Sequence, residues 1–280
     1  MAEFPVSPNA AHSLAIVVNT FNQPDYLARV LNAIARQTRP PQEIMLADDG
    51  SEEPTRTLFE RWAAGQSCRC QHVWQERGGF RRARILNLAI ARANSEYLVF
   101  LDGDTVPHPS FLADHCRLAR PRTFVQGHRA LIQQKGASFF GLGEFASDRR
   151  RALLRWQLRG LKHAFRWPRA GQRYRADLRG IRGCNLGIWR SDLVKVNGYN
   201  EAFVGWGRED SELAVRLMNA GVQRLDVRGW ALCYHLWHPP VSRANLSANE
   251  QLLQTALAQK TSWCEAGLNA HLSGPPQDAK

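Results

Sequence analysis

Apolar residues along this chain recur in two alternating patterns. Leu14 to Val18 (LAIVV) is a short continuous apolar run, which suits a strand buried on both faces. Residues 25–37 then place Leu27, Val30, Leu31 and Ile34 at helical spacing, and Thr38 to Pro41 breaks that helix. Glu43 to Ala47 predicts a second strand, ending at Asp48-Asp49-Gly50-Ser51, with a helix from about Pro54 to Ala64 behind it. Cys70 to Trp74 predicts a third strand, and residues 81–93 a helix with Ala83, Leu86, Asn87 and Ile90 on one face. Tyr97 to Leu101 (YLVFL) predicts a fourth strand, ending at Asp102-Gly103-Asp104.

Strands alternating with helices imply an α/β fold, a mostly parallel sheet with helices on both faces. Ligands of such sheets sit at the carboxyl ends of the strands. Three polar clusters fall at such ends: Asn19 to Asn22, Asp48 to Ser51 and Asp102 to Asp104. Residues 14–120 are thus expected to form a nucleotide-binding half, followed by a less regular half over 121–273. A flexible leader over 1–13 and a loose tail over 274–280 flank them.

Composition narrows the picture. With 280 residues, 44% of them apolar, the chain can bury a sizeable core, as one large domain or two intimate ones. No apolar run approaches the ~20 residues that span a bilayer, and the N-terminus lacks the pattern of a secretion signal. The cytoplasm is the expected location. The six cysteines show no zinc-finger or CxxC spacing and are expected to be plain thiols. A net charge of +12 favours anionic partners, whether nucleotide phosphates, an acidic membrane surface or nucleic acid.

Asp102 and Asp104 lie two apart in an extended segment, so their carboxylates point the same way and can face one divalent cation. A turn that happens to hold two Asp is the blander explanation, weakened by the buried strand in front of it. Asp48 or Asp49 could accept a hydrogen bond from a nucleobase or ribose, although for this cluster taken alone a strand-to-helix turn capped by Ser51 is the better explanation.

These motifs together resemble the family 2 glycosyltransferases. The resemblance rests on TFNQP after the first strand, DDGS after the second, the Asn-bearing helix RARILNLAIARANSEY, and FLDGD. Residues 182–221 (RGCNLGIWRSDLVKVNGYNEAFVGWGREDSELAVRLMNAG) are similar to a galactosyltransferase-type C-terminal module. The resemblance implies a GT-A fold, Rossmann-like, with an acceptor-side C-terminal region. It implies donor binding by Thr20, Asp48 and Asp49, a ribose or metal contact at Asp102, and metal ligation by Asp104. It places Asp210 where inverting members keep the catalytic base, and Glu209 at a sugar-contacting position. Arg208 stands where the family often has Gly.

Asp210 also has independent support. Inverting sugar transfer needs a base for the acceptor hydroxyl, and a carboxylate at a helix start behind a Gly-Trp-Gly loop can be positioned and sheltered. Glu209, Asp210 and Glu212 would equally complement the helix dipole. Trp206, flanked by glycines, is the one tryptophan expected to contact sugar, while Trp189 and Trp230 fit core packing. Asn87 and Asn185 are further polar candidates for the donor site. In the related module a soft ligand three residues before a His ends the metal shell. Here His235 takes that place, with Cys233 two residues earlier, so His235 and His238 join Asp102 and Asp104 as expected ligands. Imidazole in the shell favours Mn²⁺ over Mg²⁺.

Residues 149–169 carry eight Arg or Lys and no acid. Arg151, Arg155, Arg159, Lys162 and Arg166 form one stripe at helical spacing, and Leu154, Leu158, Leu161 and Phe165 an adjoining one. That predicts a basic amphipathic helix, docked on the inner face of the membrane or packed on the core. The expected partners are therefore a nucleotide-sugar donor, a glycan or lipid-linked glycan acceptor, and an anionic membrane surface, with no nucleic acid. The leading expectation is an inverting, metal-dependent transferase moving a hexose or N-acetylhexosamine from a UDP-sugar to lipopolysaccharide, capsule or a related polysaccharide. A retaining transferase, and an inactive basic binding protein on the same fold, are the alternatives.

Overall fold

A computed structural model describes residues 12–167 and 171–272. Most of the expected leader, the end of the basic stretch and the expected tail lie outside these residues. The first half alternates as the periodicity predicts: β1 (Leu14–Thr20), α1 (Pro24–Ala35), β2 (Glu43–Asp48), α2 (Glu53–Ala63), β3 (Arg69–Trp74), α3 (Arg82–Arg92) and β4 (Tyr97–Asp102). A proline sits in the first turn of both α1 and α2, where its missing N–H has no partner to lose.

The second half is built from shorter pieces. It runs through β5 (Thr105–Pro107), α4 (Phe111–Leu118), β6 (Thr123–Gln126), β7 (Arg129–Ile132), α5 (Gln134–Ala137), α6 (Phe145–Leu154), β8 (Leu158–Arg159) and β9 (Gln172–Arg175). Then follow β10 (Leu186–Trp189), α7 (Arg190–Lys195), α8 (Glu209–Asn219), β11 (Gln223–Val227), β12 (Cys233–His235) and α9 (Leu246–Gln259).

The main sheet has the order β3-β2-β1-β4-β10-β6-β11-β9. Neighbours from β3 to β4 are parallel, whereas β10 runs antiparallel to both β4 and β6. A strand from the second half thus continues the sheet of the first. A smaller sheet, β5-β12-β7-β8, stands beside it.

The continuous apolar runs reflect burial on both faces. Along β1, Leu14, Ile16 and Val18 enter one core with α1, α2 and α4, while Ala15 and Val17 enter the other with α3, α7 and α8. β2 and β4 divide their side chains the same way. Each fully buried aliphatic side chain contributes about 1.5–3 kcal/mol, so these three strands anchor the layers.

The basic stretch departs from its periodicity. α6 stops at Leu154, Trp156 and Gly160 take left-handed backbone conformations (φ 55° and 74°), and Leu158–Arg159 pairs with β7. The competing interaction is the free edge of β7, which takes Leu158 into the core and breaks both stripes. Arg151 instead stacks over Phe139 and Arg166 chelates Asp114.

Candidate active site

The ends of β2, β1 and β4 lie level, with Thr20 opposite Asp48 and Asn19 opposite Asp102. Three of the polar clusters therefore converge at one edge. Gly103 packs against this edge: its N–H donates to the Asn19 carbonyl at 2.7 Å, and a Cβ would lie only 3.0 Å from Thr20 Oγ1. The Thr20 hydroxyl and Asn19 Oδ1 are buried and make no hydrogen bond among the described residues, an arrangement that suits a polar ligand. Asp48 accepts from the Ser51 N–H at 2.8 Å and pairs with His72 Nε2 at 2.9 Å, so it holds the turn. Asp49 accepts from Gln75 at 2.5 Å and from the Arg81 N–H at 2.9 Å, which fixes the start of α3. Burial lifts the Asp49 carboxyl above the ordinary range despite those bonds.

Arg82, at the first position of α3, joins the two halves. Its guanidinium reaches Asp102 at 3.2 Å, Glu209 at 3.3 Å and Asp210 at 2.8 Å. Its side chain is 7% exposed, so three carboxylates meet one buried cation. Burial opposes that charge, and the three acids more than offset it, raising the Arg82 pKa. Burial lifts Asp102, and Asp104 adds to the effect while Arg82 counters it. Burial, reinforced by Asp210, pushes Glu209 up to about 7. Asp210 is tied at both oxygens, to Arg82 and to the Gly183 N–H at 2.8 Å, yet each oxygen keeps a lone pair. Gly183 must lack a side chain: a Cβ there would stand 2.3 Å from Asp210 Oδ1 and 2.4 Å from Arg82 Nη2.

Asp104, His235 and His238 form a second cluster. β5 and β12 pair Thr105 with His235, which brings the segment after Asp104 against the histidines. His238 Nε2 lies 3.2 Å and His235 Nε2 3.5 Å from Asp104 Oδ2, and one ligand atom from each residue falls within 4.8 Å of the others. His238 Nδ1 bonds the Pro239 carbonyl at 2.7 Å, which orients Nε2 inward as a metal ligand requires. Burial pushes His235 down to about 4, so its imidazole is neutral and able to ligate. Against burial, the bond from His238 and the nearby imidazoles hold Asp104 below the ordinary carboxylate range. The set fits a divalent cation. Asp102 is not in it, because its carboxylate turns to Arg82.

The two asparagines have other work. Asn87 is wholly buried; its amide donates to the Tyr199 carbonyl and to Glu201, and accepts from the Tyr199 N–H, all at 2.8 Å. It binds α3 to the segment before α8 rather than facing a donor. Asn185, equally buried, donates to the His128 and Ala231 carbonyls and meets His115. Trp206 is partly exposed between Gly205 and Gly207, with the Arg243 guanidinium 5.1 Å from its ring centre. Asn245 and Asn249 of the α9 N-terminus hold the Val204 and Gly207 carbonyls of this loop. Arg208 adopts φ 80°, the left-handed conformation that favours Gly, and its side chain pairs with Glu250. All six cysteines are free thiols.

Arg82 was the residue that pattern reading missed. Its signal was present: Arg82, Leu86 and Ile90 recur every four residues, so one arginine of this basic segment lies on the buried face.

Known proteins agree with this architecture. Residues 15–179 match the model of glycosyl transferase family 2, and residues 169–239 that of the N-terminal domain of galactosyltransferase. The chain belongs to glycosyl transferase family 2. It is 26% identical over 247 residues to validoxylamine A glucosyltransferase of Streptomyces hygroscopicus subsp. limoneus, covering 79% of this chain and 51% of that one. It is 22% identical to chondroitin synthase of Escherichia coli, covering 92% of this chain and 40% of that one. The chain thus spans about half or less of the length of these curated relatives. Among solved structures, mannosyltransferase PcManGT from Pyrobaculum calidifontis, in complex with GDP-Man and Mn²⁺, superposes with a TM-score of 0.55 at 19% identity, covering 84% of this chain and 60% of that one. S. aureus TarS superposes with a TM-score of 0.60 at 14% identity, covering 92% and 41%. At these identities the likeness shows the fold, which is GT-A.

Glu209 yields a direct test of the carboxylate cluster. Its folded-state value of about 7 exceeds that of an unfolded glutamate, so the native protein binds the extra proton. This group therefore adds stability as pH falls through about 7 and loses it as pH rises. Glu209→Gln should be more stable than wild type at pH 8, by on the order of 2 kcal/mol, with the gap closing towards pH 5. Equal urea midpoints at pH 8 would show that Glu209 is an ordinary carboxylate.

Proposed function

We propose that this chain is an inverting, metal-dependent hexosyltransferase. It takes a hexose or N-acetylhexosamine from a nucleotide-sugar donor, UDP-linked, and places it on a cell-surface glycan such as lipopolysaccharide, capsule or a related polysaccharide. The observation that carries this reading is the Arg82 bridge, which puts Asp210 beside Asp102 at the donor end of the sheet.

Thr20 and Asp49 line the nucleoside site, with Asp48 behind them, and Asp102 contacts the ribose. Asp104, His235 and His238 would hold Mn²⁺, whose charge would offset that of the departing diphosphate; the two imidazoles favour it over Mg²⁺. Asp210 takes the acceptor hydroxyl proton. The acceptor oxygen then bonds to the anomeric carbon as the bond to the diphosphate breaks, and UDP leaves. Glu209 is more deeply buried, behind Arg82, which favours Asp210 as the base and leaves Glu209 to shape the sugar pocket. Trp206 covers the sugar from its Gly-flanked loop. In an assay with Mn²⁺ and a panel of nucleotide sugars, one donor should give nucleotide release and a product of inverted configuration. Asp210→Asn should slow it by about 10²–10⁴-fold; full activity in that variant would remove Asp210 from the role.

A membrane role is supported by the surface that replaces the expected basic helix. Leu154, Trp156 and Trp167 are 71%, 84% and 66% exposed, with Leu161 and Phe165 also open, among the arginines of 149–159. Among the described residues no helix is long and apolar enough to cross a membrane. Apolar and aromatic side chains within a basic field suit peripheral docking on the anionic inner face. The protein should sediment with vesicles containing anionic lipid, and Leu154→Ser/Trp156→Ser should lose about tenfold or more of that binding. Equal sedimentation with neutral vesicles would contradict docking by charge.

A further inference from the structure

A cavity opens next to the segment that holds Asp210, with Arg182, the residue before Gly183, in its wall. It is a cleft of about 490 Å³, within the range of small-ligand sites. Arg129, Lys162, Arg175, Arg179, Arg182 and Arg228 line it, and Asp226 is its one carboxylate. That acid is already engaged, by Arg224 at 2.9 Å and His128 at 3.1 Å. Arg175 and Arg179 share Asp177 at the rim. Lys162, Arg182 and Arg228 have no carboxylate within ion-pair distance among the described residues. Unbalanced positive charge in a concave wall focuses the field and selects an anion.

The position of the cleft says which anion. The proposed nucleoside site is at the ends of β1, β2 and β4, whereas the cleft is lined from β9 and β11, across β10 and β6 in the main sheet, and from β7 of the smaller sheet. Its inner edge meets the reaction site. Arg129 donates to Cys184 Sγ at 3.6 Å, and its charge acts on Asp102 and Asp104. Arg182 directly precedes Gly183, whose N–H holds Asp210. A glycan that presents a hydroxyl to Asp210 from the side away from the donor would lay its neighbouring units in this cleft.

We propose that the cleft is an acceptor subsite for an acidic glycan, one that carries a phosphate or carboxylate on a unit next to the sugar receiving the transfer. This deepens the transferase reading and rests on it. Arginine pairs well with either anion.

Calorimetry can separate the two. The probes are a ribitol-phosphate oligomer, unsulfated chondroitin tetrasaccharide as the carboxylate probe, neutral chitotetraose, and a single-stranded DNA ten-mer; UDP with Mn²⁺ is titrated separately. At least one acidic glycan should bind about tenfold or more tighter than chitotetraose and weaken as salt rises. The stronger of the two identifies the anion. Lys162→Ala/Arg228→Ala removes two exposed cations with no internal ion pair, so the fold should stand; it should lose that preference while binding UDP as wild type does. Acidic and neutral glycans of equal affinity, or a double variant that keeps the preference, would overturn the subsite even where UDP binds normally. DNA bound as tightly as the glycans would overturn it too, by showing a general polyanion surface. Absent UDP binding in the wild type would instead defeat the transferase reading on which the subsite depends.

Discussion

The site depends on one buried ion cluster. Asp102 comes from β4, Glu209 and Asp210 from the start of α8, and without a cation their mutual repulsion would push these elements apart. Arg82 supplies it, because a planar guanidinium can meet several carboxylates at once. Breaking a buried pair of this kind costs about 3–5 kcal/mol, chiefly through the charge left uncompensated. The same cluster holds the proposed base against the carboxyl ends of the strands, so stability and the proposed chemistry rest on the same contacts.

The rest of the site is arranged around that junction. On one side, level strand ends present Thr20, Asp49 and Asp102, with two buried polar atoms left open. Beside it, the pairing of β12 with β5 delivers His235 and His238 to Asp104. Next to Gly183, which holds Asp210, Arg182 enters the wall of a strongly cationic cleft. Each proposed role falls on a separate group of residues around that junction: nucleoside on the strand ends, metal on Asp104, His235 and His238, base on Asp210, and acceptor on the basic cleft.

Much of the first half was legible in the sequence. LAIVV and YLVFL are strands buried on both faces, and such runs carry their own signal whatever surrounds them. The residues that cluster were legible too, since strand ends and a helix start announce themselves locally. What failed was settled by distant partners. The stripes of 149–169 had helical spacing, but the edge of β7 captured Leu158 and ended the helix. Asn87 lies on the inner face of its helix as expected, yet its amide is engaged by Tyr199 and Glu201, 112 and 114 residues further along the chain. Arg82 shares its helix face with Leu86 and Ile90, which marks it as buried, but the carboxylates it meets come from β4 and α8 and leave no local signal.

The coupling between Arg82 and Asp210 tests this account most directly. Folding free energies of wild type, Arg82→Met, Asp210→Asn and the double variant, taken from urea unfolding at one pH, complete a double-mutant cycle. The ion cluster predicts strong non-additivity, a coupling of about 1–3 kcal/mol with the double variant less destabilised than the sum of the singles. Additive effects, within about 0.5 kcal/mol, would mean that Arg82 does not hold Asp210 and that the two halves are joined by something else.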